Sequence, residues 1–294
     1  MEQLLKQFEL PAEIKEHLRQ EHTSGPMHAI DSVYFRSDDP VLYVDAIVSL
    51  YLDKPLLLQG PTGAGKTRLA ETLSSIYRKK MYAVNCSVDL DAEALLGYKT
   101  LREQNGKAVV DFVAGPVIRA MEEGQLLYID EVNMAKAETL PVLNSVLDFR
   151  RSITHPFTGQ EIQAAAGFKV IAAINQGYIG TIPLNEALKN RFVILDLPYL
   201  QGEQLKQMIR EQSRLQDEKL IDRFVQLSAD LIHQLELGQL SEEAGSVRAL
   251  LDACDLASFI HPLRAVQRSI ADKLDEERER WNVMNLAETW FGEG

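Results

Sequence analysis

A parallel five-stranded α/β domain with two inserted β-hairpins, followed by an all-helical domain, is the architecture this sequence predicts. Three observations lead there. Five short apolar runs, at 56–59, 81–86, 125–129, 168–174 and 192–197, alternate with helical segments, and strands separated by helical crossovers make a parallel sheet covered on both faces. Beyond Pro198 the apolar period is helical throughout, with segments at 202–214, 218–237, 246–260 and 263–280. Residues 60–67 read Gly-Pro-Thr-Gly-Ala-Gly-Lys-Thr directly after the first apolar run, which is the strand, glycine loop and helix of a phosphate-binding P-loop.

The chain's 294 residues, 46% hydrophobic and 25% charged, suit a soluble globular protein of one large or two ordinary domains. Its 31 Lys+Arg against 43 Asp+Glu give a net charge of −12, which disfavours broad electrostatic binding to nucleic acid or to anionic membranes. The sequence contains no apolar stretch of membrane-spanning length, and its start lacks the basic-then-apolar design of a signal peptide, so the expected location is the cytoplasm. Cys86 and Cys254 lie too far apart in sequence to suggest a disulfide framework or a zinc site, and read as buried small apolar residues.

In chain order, residues 4–20 read as one or two short helices broken at Pro11, an exposed element within an N-terminal segment 1–30. Asp39-Pro40 then gives a helix start, N-cap followed by proline, that leads into the P-loop strand. In the loop, Gly60, Gly63 and Gly65 allow the backbone to wrap a polyphosphate, with Pro61, Thr62 and Ala64 between them. Lys66 can reach the β- and γ-phosphates, Thr67 can place its hydroxyl on Mg²⁺, and the following helix presents the positive end of its dipole. Asn105-Gly106, the preferred pair for a two-residue turn, predicts a hairpin over 98–112, inside a helical crossover. A second hairpin is expected over 153–162 around a 156–159 turn. Either hairpin could also be a plain connecting loop.

Residues 126–131 read Leu-Leu-Tyr-Ile-Asp-Glu, a buried strand ending in two carboxylates, where α/β proteins place ligand sites. Asp130 would hold Mg²⁺ and Glu131 would orient or deprotonate an attacking water, a Walker B arrangement. Asn175, at the tip of another strand, could touch the γ-phosphate or cap the next turn. Arg191 ends a helix and Arg248 starts one in the C-terminal region. Both could stabilise phosphate charge, although taken singly each is an ordinary surface or salt-bridge residue.

The motif order, P-loop, hairpin, Asp-Glu strand, hairpin, Asn-tipped strand, Leu-Asn-Glu-Ala-Leu-x-x-Arg-Phe, then Ser-x-Arg, resembles the AAA+ ATPases over about residues 31–256. Within them it is most similar to the MoxR group and its CbbQ/NorQ-type subgroup, through Leu95-Leu96-Gly97-Tyr98, the 115–120 run Gly-Pro-Val-Ile-Arg-Ala and the 180–188 run Gly-Thr-Ile-Pro-Leu-Asn-Glu-Ala-Leu. The resemblance implies an AAA+ core at 31–198 and a helical lid at 199–294. It implies ATP and Mg²⁺ as cofactors, with Asn175 as sensor 1, Arg191 as an arginine finger reaching a neighbouring subunit's nucleotide, and Arg248 as sensor 2 in cis or in trans. Asn85 matches the polar residue that restrains the catalytic glutamate in related ATPases, or caps a turn. The family implies a homo-oligomer, usually a hexameric ring with the hairpins at its pore, acting on a protein client with a von Willebrand factor A domain partner. A nucleotide-timed assembly scaffold is the alternative reading, and a DNA-acting motor is disfavoured by the net charge. Residues 275–280 read as a solvated helix face, and Trp281, Trp290 and Phe291 as packing anchors or a docking tail.

Overall fold

The structure, a computed structural model, describes residues 8–24, 40–86, 90–104, 107–175 and 184–292. The expected N-cap Asp39, the turn pair Asn105-Gly106 and the 180–183 part of the family motif lie outside the described residues. The chain packs as two compact units, one within 1–59, 66–174 and 181–196, the other within 60–65, 175–180 and 197–294.

The first unit opens with α1 (Ala12–Ser24) and α2 (Pro40–Tyr51). Pro11 was expected to break a helix and instead opens one, its carbonyl accepting from the N–H groups of Ile14 and Lys15 at 3.1 Å each. The N-terminal element also differs from the exposed segment expected. Ile14 and Leu18 are buried, as residues four apart share one helix stripe, and the Phe8 ring lies 4.7 Å from that of Tyr43 on α2.

The sheet has five parallel strands, β1 (Leu56–Gly60), β2 (Met81–Asn85), β5 (Leu126–Asp130), β8 (Lys169–Asn175) and β9 (Val193–Asp196), in the order β2-β5-β8-β1-β9. Between them run α3 (Lys66–Ile76), α4 (Ala92–Leu96), α5 (Pro116–Glu122), α6 (Leu140–Leu147) and α7 (Glu186–Lys189). Leu57, Leu127, Ile129, Val170 and Ala172 from the sheet share a core with Ile118 and Leu143 from the helices. Continuous apolar strands are what burial on both faces demands.

Both expected hairpins are present. The first pairs β3 (Gly97–Gln104) with β4 (Lys107–Ala114) through eight residue pairs, and leaves Tyr98, Leu101 and Val110 exposed. The second pairs β6 (Ser152–Thr154) with β7 (Glu161–Gln163), its buried Ile153 and Ile162 facing each other in the ladder. Its turn rests on the first hairpin: the Phe112 ring lies 4.4 Å from His155 and stacks parallel to Phe157 at 6.2 Å.

The second unit is helical, with α8 (Gly202–Gln212), α9 (Glu218–Glu236), α10 (Val247–Ala257), α11 (Pro262–Ser269) and α12 (Glu277–Phe291) around Phe224, Leu231, Leu250 and Val283. A single helix over 263–280 was expected, and the structure breaks it at Ile270. Beyond the break, Arg280 Nε donates to the Leu274 carbonyl at 2.7 Å and ties down the connecting turn. The charge run at 275–280 therefore starts a helix instead of ending one, with Glu277 and Glu279 in its first turn, where the dipole favours acids. Phe291 packs 4.8 Å from Phe224, and Trp290 Nε1 donates to Asp230 Oδ2 at 2.7 Å. Those two aromatics are packing anchors, whereas Trp281 is largely exposed.

Candidate functional site

The P-loop begins where β1 ends. A Cβ at Gly60 would stand 2.3 Å from the Leu197 carbonyl oxygen, and one at Gly63, whose φ is +87°, would stand 2.7 Å from Val247 Cβ. Glycine is required at both places, by close approach at the first and by backbone region as well at the second. Ala64 N donates back to Pro61 O at 3.2 Å, which curls the loop through Thr62 and Gly65 into α3. That helix starts at Lys66, which is buried, and has no acidic residue in its first turn. A helix start without an acid of its own favours an anion there.

Thr67 Oγ1 lies 3.1 Å from the hydroxyl of Tyr128 on β5. Burial raises the Tyr128 phenol well above its ordinary range; the Thr67 hydrogen bond opposes this, and the Asp130 carboxylate, also hydrogen-bonded to the phenol, adds to it. Thr67 and Asp130, the two expected metal ligands, thus flank a single hydroxyl, and their hard oxygens suit Mg²⁺. Asp130 Oδ1 accepts from the Glu131 N–H at 3.0 Å, and Glu131 itself adopts a left-handed conformation, φ 52° and ψ 41°. A non-glycine residue there is strained, and such strain gathers at functional sites.

Asn85, exposed at the tip of β2, is the register partner of Asp130. Cys86 follows, donating its N–H to Asp130 O at 2.9 Å. Its thiol is pushed up to about 12, first by burial and then by the negative charges of Asp130 and Glu131. Asn175 closes β8 and is half-buried. Because the strands are parallel, their carboxyl ends share one edge, and the sheet order sets Asn85, Asp130, Asn175 and Gly60 along it. Arg248 is the second residue of α10, exposed, and follows the Val247 that faces Gly63.

Arg191 is not among them. It comes after α7, whose N-cap Asn185 accepts from the Ala187 N–H at 2.8 Å, and donates its own η1 hydrogen to the Ala187 carbonyl. It precedes β9, whose first residue donates to Pro55 O at 2.9 Å, just ahead of β1. Arg191 is therefore at the amino edge of the sheet, roughly 15 Å from the P-loop edge by strand length. There it lines a cavity of about 640 Å³ with Asp53, Lys54, Phe149 and Arg151.

Tyr128 is the site residue that the sequence reading missed. Inside Leu-Leu-Tyr-Ile it counts as one more apolar strand residue, and a phenol two residues before the metal-ligand candidate was the available signal.

Among the described residues no helix is long and apolar enough to cross a membrane. Residues 55–192 match the family model for the AAA domain of the dynein-related subfamily. The chain is 57% identical over 291 residues to YojN, an uncharacterized protein of Bacillus subtilis, covering 98% of this chain and 96% of that one. It is 54% identical over 263 residues to an uncharacterized protein of Staphylococcus epidermidis, covering 89% of this chain and all of the other. A structure of NtrX from Brucella abortus in complex with ATP aligns at a TM-score of 0.47 and 16% identity, over 82% of this chain and 55% of that one.

Proposed function

The chain belongs to the family of these bacterial relatives and carries a dynein-related AAA domain, and from that premise we propose that it is an ATP-hydrolysing remodeller of the MoxR type. The observation that carries this is the division of the sheet. Gly60, Asn85, Asp130 and Asn175 stand at its carboxyl edge, and the one arginine of the Leu-Asn-Glu-Ala-Leu motif stands at the opposite edge.

In this reading the P-loop N–H groups and Lys66 hold the triphosphate, and Thr67 and Asp130 hold Mg²⁺. Bound there, the metal would neutralise phosphate charge. Glu131 orients and deprotonates the attacking water, with Asn175 helping to place it and Asn85 restraining Glu131. Arg248 takes the sensor-2 role. Arg191 stabilises the charge developing on the transferred phosphoryl group, and being a strand's length away it does so for a neighbouring copy. Such a contact joins the amino edge of one copy to the carboxyl edge of the next, which is heterologous, and heterologous contacts that close form rings. The resemblance supports a hexameric ring, a protein client and a von Willebrand factor A domain partner, with the exposed apolar face of the first hairpin turned to the client.

Capture with the Glu131→Gln protein tests the assignment, since the phosphate cradle stays while the water-orienting carboxylate is lost. With ATP, the variant should co-purify as an oligomer with a von Willebrand factor A domain protein. Steady-state ATPase equal to that of the unmodified protein would defeat the hydrolytic role of Glu131.

A further inference from the structure

The link between α6 and β6 holds an aromatic ring in water. Phe149 is 86% exposed, and the Arg150 guanidinium lies 5.5 Å from the centre of its ring. Burying that ring against a partner would remove its apolar area from water, which is favourable. The loop is fixed by other groups: Asp148 Oδ1 accepts from Arg150 N at 3.2 Å, Asp148 O from Arg151 N at 3.0 Å, and Arg150 O from Gln163 Nε2 at 2.7 Å. Phe149 is thus presented on a preformed support, which lowers the ordering cost of binding.

The charges around the ring say what covers it. Phe149 shares its cavity with Lys54, Arg151 and Arg191, and with the acids Asp53 and Asp148. Both acids are engaged, Asp148 by the Arg150 N–H and Asp53 by Lys169 Nζ at 3.4 Å and Arg151 Nη1 at 3.8 Å. With the adjoining Arg150, the four cations Lys54, Arg150, Arg151 and Arg191 stand against two acids, so the surface around the ring is net positive. The carboxyl edge of this same chain, with Asp130, Glu131 and the triphosphate assigned to it, is a surface of the opposite charge.

We propose that Phe149 is the apolar anchor of the contact between copies. It inserts into the next copy beside that copy's carboxyl edge and holds Arg191 at the neighbour's phosphates. This rests on the head-to-tail reading above and names the residue that gives the contact its affinity. A central aromatic with an arginine beside it has the composition of an interface hot spot.

Sedimentation of the full chain with Mg²⁺ and a nonhydrolysable ATP analogue tests it, using the unmodified protein, Phe149→Ser, Phe149→Leu and Arg191→Ala. Phe149→Ser should weaken assembly by about tenfold or more, with Phe149→Leu recovering much of it. Arg191→Ala should still assemble, and analogue affinity and melting temperature, measured on dilute monomer below the assembly concentration, should be unchanged in the Phe149 variants. If the unmodified protein assembles and Phe149→Ser assembles at the same concentration, the anchor is wrong and the head-to-tail reading stands. If the unmodified protein stays monomeric at every concentration, that reading falls and the anchor with it. A benzophenone amino acid at position 149 that cross-links to another protein and never to a second copy would also overturn the proposal.

Discussion

The two edges of one sheet carry opposite chemistry. At the carboxyl edge the strands end in Asn85, Asp130, Asn175 and a glycine loop, to which the proposed function gives cradling, ligating and orienting roles. At the amino edge Arg191 and Lys54 line an open cavity beside Asp53 and an exposed Phe149. On the proposed reading neither edge is a complete phosphoryl-transfer site. The carboxyl edge is without Arg191, the amino edge is without the glycine loop, and the strand between them keeps the two apart within a copy.

The comparison breaks most sharply at Arg191. Arg191→Ala should lower ATP turnover by about 10³-fold, with ATP affinity within about threefold of normal, since the group acts on the transition state alone. Turnover and binding, read by steady-state ATPase and nucleotide titration, would separate the edges; an equal loss in both would mean that Arg191 holds the nucleotide in the ground state as well. Glu131→Gln should lower turnover by about 10²-fold or more with binding retained.

A finer division lies within the carboxyl edge. Tyr128→Phe removes the hydroxyl between Thr67 and Asp130 and should raise the Mg²⁺ concentration for half-maximal activity by about tenfold. Activity at saturating Mg²⁺ should survive, and a Mg²⁺ profile identical to the unmodified protein's would make Tyr128 a packing residue.

Stability tests sharpen the contrast from the other side. Asp53 adopts a positive φ of 57° and is the carboxylate facing the buried Lys169 and half-buried Arg151. Burial lowers the proton affinity of both cations, and Asp53 opposes that shift in each. Asp53→Asn keeps the backbone conformation that Asn tolerates and should destabilise by about 1–2 kcal/mol in chemical denaturation, less than for a fully buried pair because Asp53 is itself exposed. The smallest effect is at Cys86. With the thiol raised to about 12, thiolate is scarce at pH 8, since it is favoured only above the thiol's pKa. Cys86 should resist a thiol reagent in the native protein and react on unfolding.

Much of the carboxyl edge was legible in the chain because its chemistry is spelled locally. A strand, three glycines and Lys66-Thr67 are contiguous, and Asp130-Glu131 directly ends an apolar run. The hairpins were legible for the same reason, through their turn residues. What local spelling does not encode is the partner across space. Pro11 opens a helix because α1 has Ile14 and Leu18 to bury, and the last helix breaks where Arg280 reaches back to Leu274. Tyr128 looked apolar until Thr67 stood 3.1 Å from it. The amino edge was the least legible, since Asp53, Phe149, Arg151 and Arg191 come from three separate links that the sheet brings together.

The central claim is that one site is built from two copies, and subunit mixing tests it most directly. Arg191→Ala and Glu131→Gln proteins are each nearly inactive in this account, yet in a mixture an Arg191→Ala copy can keep its own Glu131 and receive Arg191 from its Glu131→Gln neighbour. With equal amounts and independent contacts, about a quarter of head-to-tail interfaces are complete, so ATPase activity should recover to about a quarter of the unmodified rate. A mixture no more active than the sum of the two separate variants would contradict it.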